Sequence, residues 1–205
     1  TIKPNLMQTL EGTPVLVHAG PFGNIAHGNS SILADLAAIR LADFVVTESG
    51  FGADCGAEKL FNIKCRAGGI IPDVEVLVCT VRALKYQSGR FIVRPGKTLP
   101  PNLLSEDCDA LQAGRGNVEG HISILRKFGI PVVVAVNRFP SDTDRELDAV
   151  RRMALDAGAV DVAVSDAFAR GGEGAEELAR AVISAAKLPG QFRFLYPNDL
   201  PLVEK

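Results

Sequence analysis

The sequence has 205 residues, of which 47% are hydrophobic and 22% are charged, proportions that are ordinary for a globular protein. This composition excludes a disordered tail, a collagen-like repeat and a highly charged nucleic-acid-binding arm. The 22 Lys and Arg residues nearly balance the 24 Asp and Glu residues, for a formal net charge of −2, so there is no general electrostatic reason to bind nucleic acid or an anionic membrane. At about 150 residues per domain, the length predicts one domain or one domain with an appendage.

Five short apolar runs predict β-strands. The runs are continuous and rich in β-branched residues, which is typical of strands buried on both faces of a parallel sheet. In chain order they are 14–19 (PVLVHA), 44–48 (FVVTE), 74–81 (VEVLVCTV), 131–137 (PVVVAVN) and 160–165 (VDVAVS).

Four amphipathic stretches predict helices, because their apolar residues recur at helical spacing. One of them begins with the capping residues of 141–143, and another carries acidic residues in its first turn, which suits the helix dipole. The stretches are 30–41, 107–128, 143–157 and 173–187. Repeated strand–helix units predict an α/β fold with a mostly parallel sheet and helices on both of its faces.

Two stretches depart from this alternation. Residues 86–102 contain Ser-Gly, Pro-Gly and Pro-Pro pairs, which predict a long loop, and long loops in compact domains are commonly functional. From 189 onward the pattern changes again. We therefore expect an α/β domain at 1–188, as part of a larger fold, and an exit segment at 189–205 leading toward a following region.

Cysteine usage and hydropathy indicate a cytoplasmic protein. The four cysteines, Cys55, Cys65, Cys79 and Cys108, form no C-x-x-C pair, so the spacing of zinc sites is missing and no metal site is predicted. The sequence shows no secretion-signal pattern, which favours reduced cysteines, and no run of 18 apolar residues that would predict a membrane span. Because the first residue is not Met, we expect the chain to be a piece of a larger protein.

Ligands of open parallel sheets bind at the carboxyl ends of the strands, so the residues after each apolar run are candidate site residues. The first run leads into a Gly-rich loop at 20–31, which contains His27. Such a loop presents backbone N–H groups to an anion. Alternatively, it is an ordinary strand–helix turn, in which His27 is structural rather than a proton donor or acceptor. The loop matches neither G-x-x-x-x-G-K-[ST] nor G-x-G-x-x-G.

The second run leads into 48–59, where Gly50, Gly52 and Gly56 surround Asp54. Glycines let the backbone approach a ligand closely, and a carboxylate among them suits cation binding or proton transfer. The alternative is a glycine turn that Asp54 caps.

Polar and aromatic side chains also follow the other three runs. Arg82 and Lys85, after the third, suit a phosphate or carboxylate, or they are the solvated start of the long loop. Asn137 ends the fourth run and suits a purine edge, while Asp142 is a candidate cap of the next helix. Phe168 follows the fifth run; it belongs to a planar-ligand site or to the core. Together these loops predict a site for a nucleotide or another planar ligand.

Six segments carry a resemblance to a known family. They are PNLMQTLEGTP (4–14), GPFGNIAHGNSS (20–31), ESGFGADCGAEKLFNIKCR (48–66), TVRALK (80–85), FGIPVVVAVNRFPSDT (128–143) and GGEGAEELA (171–179). In this order, and over almost the whole chain, they resemble formate–tetrahydrofolate ligase, also called 10-formyltetrahydrofolate synthetase. This family is known as a separate bacterial enzyme and as the ligase domain of larger C1-tetrahydrofolate synthases.

The resemblance implies ATP-dependent joining of formate to tetrahydrofolate. Formate is first phosphorylated to formyl phosphate, and N10 of the folate then attacks this mixed anhydride. By resemblance, His27 is a catalytic residue, and we add Asp54 from the glycine-rich segment. Phe61 and Phe139 match aromatic residues that line the folate pocket. Phe168 stands where the family often has Trp in a pterin-stacking role, and Phe offers less ring surface and no N–H donor.

The resemblance also implies a nucleotide-proximal wall and a P-loop NTPase-like core. Asn137, Pro140 and Asp142 match part of that wall, and we place Arg82 and Lys85 beside it. The implied substrates are formate, tetrahydrofolate and ATP with Mg²⁺, and a monovalent-cation site is compatible with the resemblance. The family further suggests a homo-oligomer.

The chain departs from the family in extent. The phosphate-binding loop of the family lies upstream of the segment that resembles the start of this chain, and the family's C-terminal region also has no counterpart here. The chain thus corresponds to the middle third to two-fifths of such an enzyme, and we expect it to be inactive alone. The alternative is a non-catalytic truncated paralogue that binds folate or assembles with a partner subunit.

Overall fold

A computed structural model of the chain describes residues 3–18, 29 and 31–205. The chain divides into two compact units. The first comprises Thr1–Ile71 and Arg193–Lys205, and the second comprises Pro72–Phe192.

The second unit is built on a three-stranded parallel sheet. Its strands are β3 (Glu75–Cys79), β4 (Val132–Asn137) and β5 (Asp161–Ser165), in the spatial order β3-β4-β5. In register, Leu77 pairs with Val134, and Val134 pairs with Val162. The central strand β4 is buried from its first residue to its fifth, as expected for a continuous β-branched run that is covered on both faces. The prediction of an α/β fold with a parallel sheet is thus confirmed for this unit.

Helices cover both faces of that sheet. The helices of this unit are α3 (Val81–Gln87), α4 (Pro101–Leu104), α5 (Cys108–Arg126), α6 (Asp144–Asp156), α7 (Ala167–Arg170) and α8 (Glu176–Ala185), and of these α3, α5, α6 and α8 pack on the sheet. On one face, side chains of α3, α5 and α6 pack around Val134 and Val136. On the other face, Ala181 and Ala185 of α8 pack against Val133 and Ala163. Because consecutive strand residues point to opposite faces, a single run such as 132–136 supplies both cores.

Side-chain caps fix where three of these helices begin. Thr80 Oγ1 accepts a hydrogen bond from Ala83 N, and Asp107 Oδ1 accepts one from Ala110 N. Thr143 and Glu146 form a reciprocal capping box at α6. Caps of this kind contribute about 1 kcal/mol each. Thr80 starts α3 directly after β3, and Thr143 starts α6 after the turn that follows β4.

The predicted loop at 86–102 is confirmed over most of its length. Helix α3 continues to Gln87, and irregular backbone then runs to the start of α4 at Pro101. The loop is anchored by a small apolar cluster, in which Phe91 packs with Leu103 and Ala110. The long loop therefore has a defined path over the second unit.

The first unit differs from the predicted sheet. Its strands β1 (Asn5–Gln8) and β2 (Pro14–Val17) form an antiparallel hairpin with mostly exposed side chains. The prediction of a buried parallel strand at 14–19 is therefore wrong for 14–17, and residue 19 lies outside the described residues. The strand predicted at 44–48 is irregular backbone. A strand requires a hydrogen-bonding neighbour, and among the described residues nearby the only pairing is the single bridge between Asn29 and Ser49.

Helical segments complete the first unit. They are α1 (Ile32–Ala38), the π-helical turns Gly52–Ala57 and Leu60–Cys65, and α2 (Arg66–Gly68). The predicted helix at 30–41 is thus confirmed over its centre, with Ser31 Oγ accepting from Ala34 N as its cap. No helix of the described residues is long and apolar enough to cross a membrane.

The C-terminal residues of the chain pack against the second π-helical turn and α2. The Arg66 guanidinium carbon lies 3.9 Å from the ring centroid of Phe194, and Arg66 also donates to the carbonyl oxygen of Tyr196. Leu195 N donates to Asn62 Oδ1. These contacts hold 194–196 onto the first unit.

Candidate functional site

The carboxyl ends of β4 and β5 are adjacent and carry the two aromatic candidates of the second unit. Asn137 pairs in register with Ser165, and Arg138 N donates to Ser165 O at 2.9 Å. Phe139 follows β4 by two residues and is half-buried, whereas Phe168 follows β5 by three residues and is fully exposed. The parallel pairing of β4 and β5 thus delivers both rings to the same edge of the sheet.

Asp142 shapes the turn that carries Phe139. Its Oδ2 accepts from Phe139 N at 2.8 Å, and its own N–H donates to Phe139 O at 2.9 Å. Burial raises the pKa of the Asp142 carboxyl, although the hydrogen bond from Phe139 N–H opposes that rise. The N-cap of α6 is Thr143, so the proposed cap at Asp142 is corrected by one residue. Pro140, in the same turn, is exposed.

Beneath this turn lies a buried ion pair between α3 and α6. Lys85 Nζ donates to Glu146 Oε1 at 2.8 Å and to Ser105 O at 2.9 Å. Glu146 Oε1 also accepts from Asp107 N, and its Oε2 accepts from Thr143 N. Burial alone would raise the pKa of Glu146, but the bonds from Lys85, Asp107 and Thr143 outweigh it and hold the pKa below its usual value.

The ion pair bears on the predicted phosphate contact of Lys85. Both Lys85 and Glu146 are almost completely buried, so the Lys85 ammonium in this structure holds helices together and is turned away from solvent. A contact between Lys85 and a phosphate would require this pair to open.

Arg82 lies one turn earlier on α3 and contacts the site aromatic directly. Its guanidinium carbon is 3.3 Å from the centroid of the Phe139 ring, well inside the roughly 6 Å range of cation–π contacts. Among the described residues, its buried Nε has no hydrogen-bond partner. Arg82 is therefore placed by its contact with a ring rather than by an ion pair.

The segment after β5 is folded tightly beneath Phe168. Asp166 N donates to Gly174 O at 2.9 Å, and a Cβ at Gly174 would meet the carbonyl of Asp166. Gly171 adopts a positive φ of 58°, where glycine is favoured. The glycines of 171–174 thus serve close backbone packing, which leaves the Phe168 ring pointing outward from a fixed turn.

In the first unit, the glycines around Asp54 also serve the chain's own packing. A Cβ at Gly56 would collide with the carbonyl of Gly50, and one at Gly52, where φ is +76°, would meet the Asp54 carboxylate. Asp54 itself is exposed on the π-helical turn. The arrangement supports a glycine turn that contains Asp54, and it leaves the carboxylate open to solvent.

Phe61 does not face an open pocket. Its side chain has 0% exposure and belongs to the interior of the first unit, because the helical turn that carries it packs this side inward. The Phe61 ring, which we predicted to contact folate, is therefore not accessible to a ligand in this structure. His27 lies outside the described residues.

A buried polar network surrounds Asn29. Lys64 Nζ donates to Asn29 Oδ1 and forms an ion pair with Asp35. Asn29 Nδ2 in turn donates to Thr47 Oγ1 at 2.9 Å and to Glu48 O at 2.7 Å. Asn29 and Lys64 are almost completely buried, so these bonds fix residue 29 beside the segment 47–49.

The sequence did not predict the buried polar contacts of Glu146, Asn29 and Lys64. For Glu146 a signal was present, because the T-x-x-E spacing at 143–146 is that of a capping box. Nothing local indicated that Lys85, 61 residues earlier, would be the partner of Glu146. Within the described residues, no group of three or more His, Cys, Asp or Glu side chains is arranged to hold a metal ion.

Comparisons with known proteins match the whole chain to one family. A sequence model of the family described as formate–tetrahydrofolate ligase matches residues 1–205. Formate–tetrahydrofolate ligases from Roseiflexus sp. (strain RS-1), Saccharopolyspora erythraea and Aeromonas hydrophila subsp. hydrophila are 56%, 58% and 55% identical to it over 204 residues. Each alignment covers 100% of the chain but only 35–36% of the relative, so the chain spans about a third of the length of these relatives.

Proposed function

Because the chain belongs to the formate–tetrahydrofolate ligase family, we propose that it supplies the folate side of an enzyme that joins formate to tetrahydrofolate at the expense of ATP. The observation that carries this assignment is the pair of aromatic rings, Phe139 and Phe168, at the adjacent carboxyl ends of β4 and β5. Pterin rings are planar, and aromatic side chains bind planar rings by stacking at low entropic cost.

The reaction has two steps. A formate oxygen attacks the γ-phosphorus of ATP, the bond to ADP breaks, and formyl phosphate forms. N10 of tetrahydrofolate then attacks the formyl carbon, the C–O bond to phosphate breaks, and N10 loses its proton to give 10-formyltetrahydrofolate. The first step is needed because a carboxylate oxygen is a poor leaving group until it carries a phosphoryl group.

We assign the residues at the carboxyl ends of β4 and β5 to the binding of the two larger substrates. Phe139 and Phe168 hold the pterin, and Asn137, Pro140 and Asp142 form the wall of the turn next to it. Asn137 is exposed, and its amide offers both a donor and an acceptor to a nucleotide base.

In the first unit, His27 and Asp54 are the proposed proton-transfer groups. Asp54 has the required access to solvent. Phe61 lies in the interior of this unit, so a contact between its ring and the folate would require the unit to open.

The phosphate-binding part of the proposed site is not encoded in these 205 residues. No G-x-x-x-x-G-K-[ST] pattern occurs in the sequence, so a P-loop NTPase-like core would be completed by other parts of the polypeptide. In the part of the chain that the structure describes, no group of three or more His, Cys, Asp or Glu side chains is arranged as a site for Mg²⁺. Cytoplasmic localisation and homo-oligomer formation, both common to the family, belong to the same proposal.

The test compares two proteins. One is the longest polypeptide encoded in frame with the chain, and the other is the 205-residue chain alone. We expect ATP- and formate-dependent formation of 10-formyltetrahydrofolate by the first and none by the second. Absence of product with the longer protein, together with retained folate binding, would instead favour a non-catalytic folate-binding paralogue, which the partial coverage of the relatives leaves as the second candidate.

A further inference from the structure

The guanidinium of Arg82 lies against one face of the Phe139 ring. The guanidinium carbon of Arg82 lies 3.3 Å from the ring centroid, a distance that places the flat cation against one face. Phe139 is nonetheless only half-buried. A planar ligand that stacks on this ring would therefore have to use the face opposite Arg82.

The charges around Arg82 are committed elsewhere. Asp142, the nearest carboxylate of the turn, accepts the backbone N–H of Phe139, and Glu146 is paired with Lys85. No ion pair to Arg82 exists among the described residues, and its buried Nε has no acceptor there. The charge of Arg82 still favours the ionised form of Asp142, but the direct contact of its guanidinium is with the Phe139 ring.

The backbone and the ring of Phe139 are held by different residues. The Asp142 carboxylate accepts from Phe139 N, and Asp142 N donates to Phe139 O. These bonds fix the backbone but leave the two side-chain torsions of Phe139 free. The stacked guanidinium restrains those torsions, so the ring is ordered before a ligand arrives.

We propose, on the basis of the function proposed above, that Arg82 is a positioning residue of the tetrahydrofolate site that acts through Phe139. The guanidinium holds the ring with its open face toward the pterin. A ring ordered in advance loses less conformational freedom when the ligand binds. Arg82 thus lowers the concentration of tetrahydrofolate that the enzyme requires, without touching the reacting atoms.

The experiment is a double-mutant cycle in the longest in-frame polypeptide, with the variants Arg82→Met, Arg82→Lys, Phe139→Leu and Arg82→Met/Phe139→Leu. We expect Arg82→Met to raise KM for tetrahydrofolate roughly three- to tenfold, with kcat and the KM values for ATP and formate unchanged. Arg82→Lys keeps the charge but lacks the planar group, so its KM should be intermediate. The double variant should be no worse than Phe139→Leu alone, since Arg82 has no effect once the ring is gone.

Three results would overturn the assignment. A raised KM for ATP or formate would make Arg82 a ligand of the phosphate or carboxylate instead. Additive effects in the double variant would separate Arg82 from Phe139, and an unchanged KM for tetrahydrofolate would remove the role altogether. Arg152→Met, which removes an exposed arginine of α6, is the control for loss of charge.

A separate measurement distinguishes failure of the role proposed for Arg82 from failure of the proposed ligase function. If the wild-type polypeptide makes no 10-formyltetrahydrofolate, the ligase function itself fails. The ring resonances of Phe139, assigned by comparison with Phe139→Leu, report the restraint directly by NMR. They should shift and average in Arg82→Met but not in Arg152→Met, and unchanged resonances would show that Arg82 does not hold the ring.

Discussion

Lys85 Nζ lies 2.8 Å from Glu146 Oε1, and the two side chains are 2% and 0% exposed. The pair joins α3, which follows β3, to α6, which follows β4. Glu146 also receives the backbone N–H groups of Asp107 and Thr143, so one carboxylate holds the beginnings of two helices and the end of a third. These bonds hold together the helices that support the turn carrying Phe139.

Removal of Lys85 should strongly destabilise the second unit. Lys85→Met leaves the Glu146 carboxylate buried without its cation, and loss of one partner of a buried pair costs about 3–5 kcal/mol. Urea unfolding followed by circular dichroism at pH 7 measures the change. Arg145→Met removes an arginine whose partner is Glu106 in an exposed pair and should cost less than about 1 kcal/mol. Equal losses in both variants would contradict a special role for the buried pair.

The pH dependence of the same variant follows from the Glu146 pKa. In the wild type this pKa is lowered, so the contribution of Glu146 to stability is present above its unfolded pKa and is lost as the pH falls through the folded value. Without Lys85, burial dominates and the pKa rises, so Lys85→Met gains stability on acidification. The difference between wild type and Lys85→Met should therefore be smaller at pH 4.5 than at pH 7.

Glu75, at the start of β3, should make the protein less stable at higher pH. Burial raises the pKa of its carboxyl to about 7 from an ordinary 4.5. At a pH between these two values, Glu75 is protonated in the folded protein but ionised in the unfolded chain. The free energy of unfolding therefore falls as the pH rises from about 4.5 through 7, and it is constant above that range.

Glu75→Gln removes the ionisation and should stabilise the protein by about 1–3 kcal/mol at pH 8, with little change at pH 4.5. Thermal unfolding at both pH values measures this difference. Asp73→Asn, two residues earlier and exposed, is the matched control and should show no such difference. A stability profile of Glu75→Gln parallel to that of the wild type would contradict the assignment.

The fold of the second unit could be predicted because its signals are local. The runs at 74–81, 131–137 and 160–165 are apolar and β-branched, and a helix follows each of them, so the alternation of strands and helices predicts a parallel sheet. The run at 44–48 has the same composition yet forms no strand in the described residues. Whether such a run pairs depends on a neighbouring backbone, and the residues of the run do not identify that neighbour.

The strand ends that carry the candidate site residues could be predicted, but not the contacts of those residues. The rule that ligands bind at the carboxyl ends of parallel strands identified Phe139 and Phe168. The burial of Phe61 was not predictable, since a Phe in a helical pattern suits a core as well as a pocket. Lys85 contacts Glu146, and Arg82 contacts Phe139. Each partner lies more than 50 residues away in sequence, and no local pattern indicates such a contact.

Gly114 should resist substitution, although it lies within a helix. A Cβ there would collide with the carbonyl of Leu84, where α5 crosses α3. Gly114→Ala should therefore destabilise the second unit by about 1–3 kcal/mol, despite the better helix propensity of Ala. Gly116 and Gly120, on the same helix, have open space at the Cβ position. Ala at either should stabilise by about 0.5–1 kcal/mol, and the same sign at all three positions in urea unfolding would contradict the close crossing.

Phe168 should determine tetrahydrofolate affinity without affecting stability. Its ring is fully exposed on a fixed turn, so substitution there removes no packing from the core. Stacking of a base on an aromatic side chain contributes about 1–3 kcal/mol, and loss of a comparable pterin contact in Phe168→Ala should raise KM for tetrahydrofolate about tenfold or more.

Phe168→Leu separates stacking from simple apolar contact, because it retains bulk but has no ring. If the ring stacks on the pterin, Leu should be nearly as poor as Ala, whereas Trp, with more ring surface and an N–H donor, should lower KM below that of the wild type. Steady-state kinetics of the longest in-frame polypeptide, with thermal unfolding of each variant, measure both properties. Equal KM values for Phe, Leu and Trp at position 168 would show that this ring does not contact the folate.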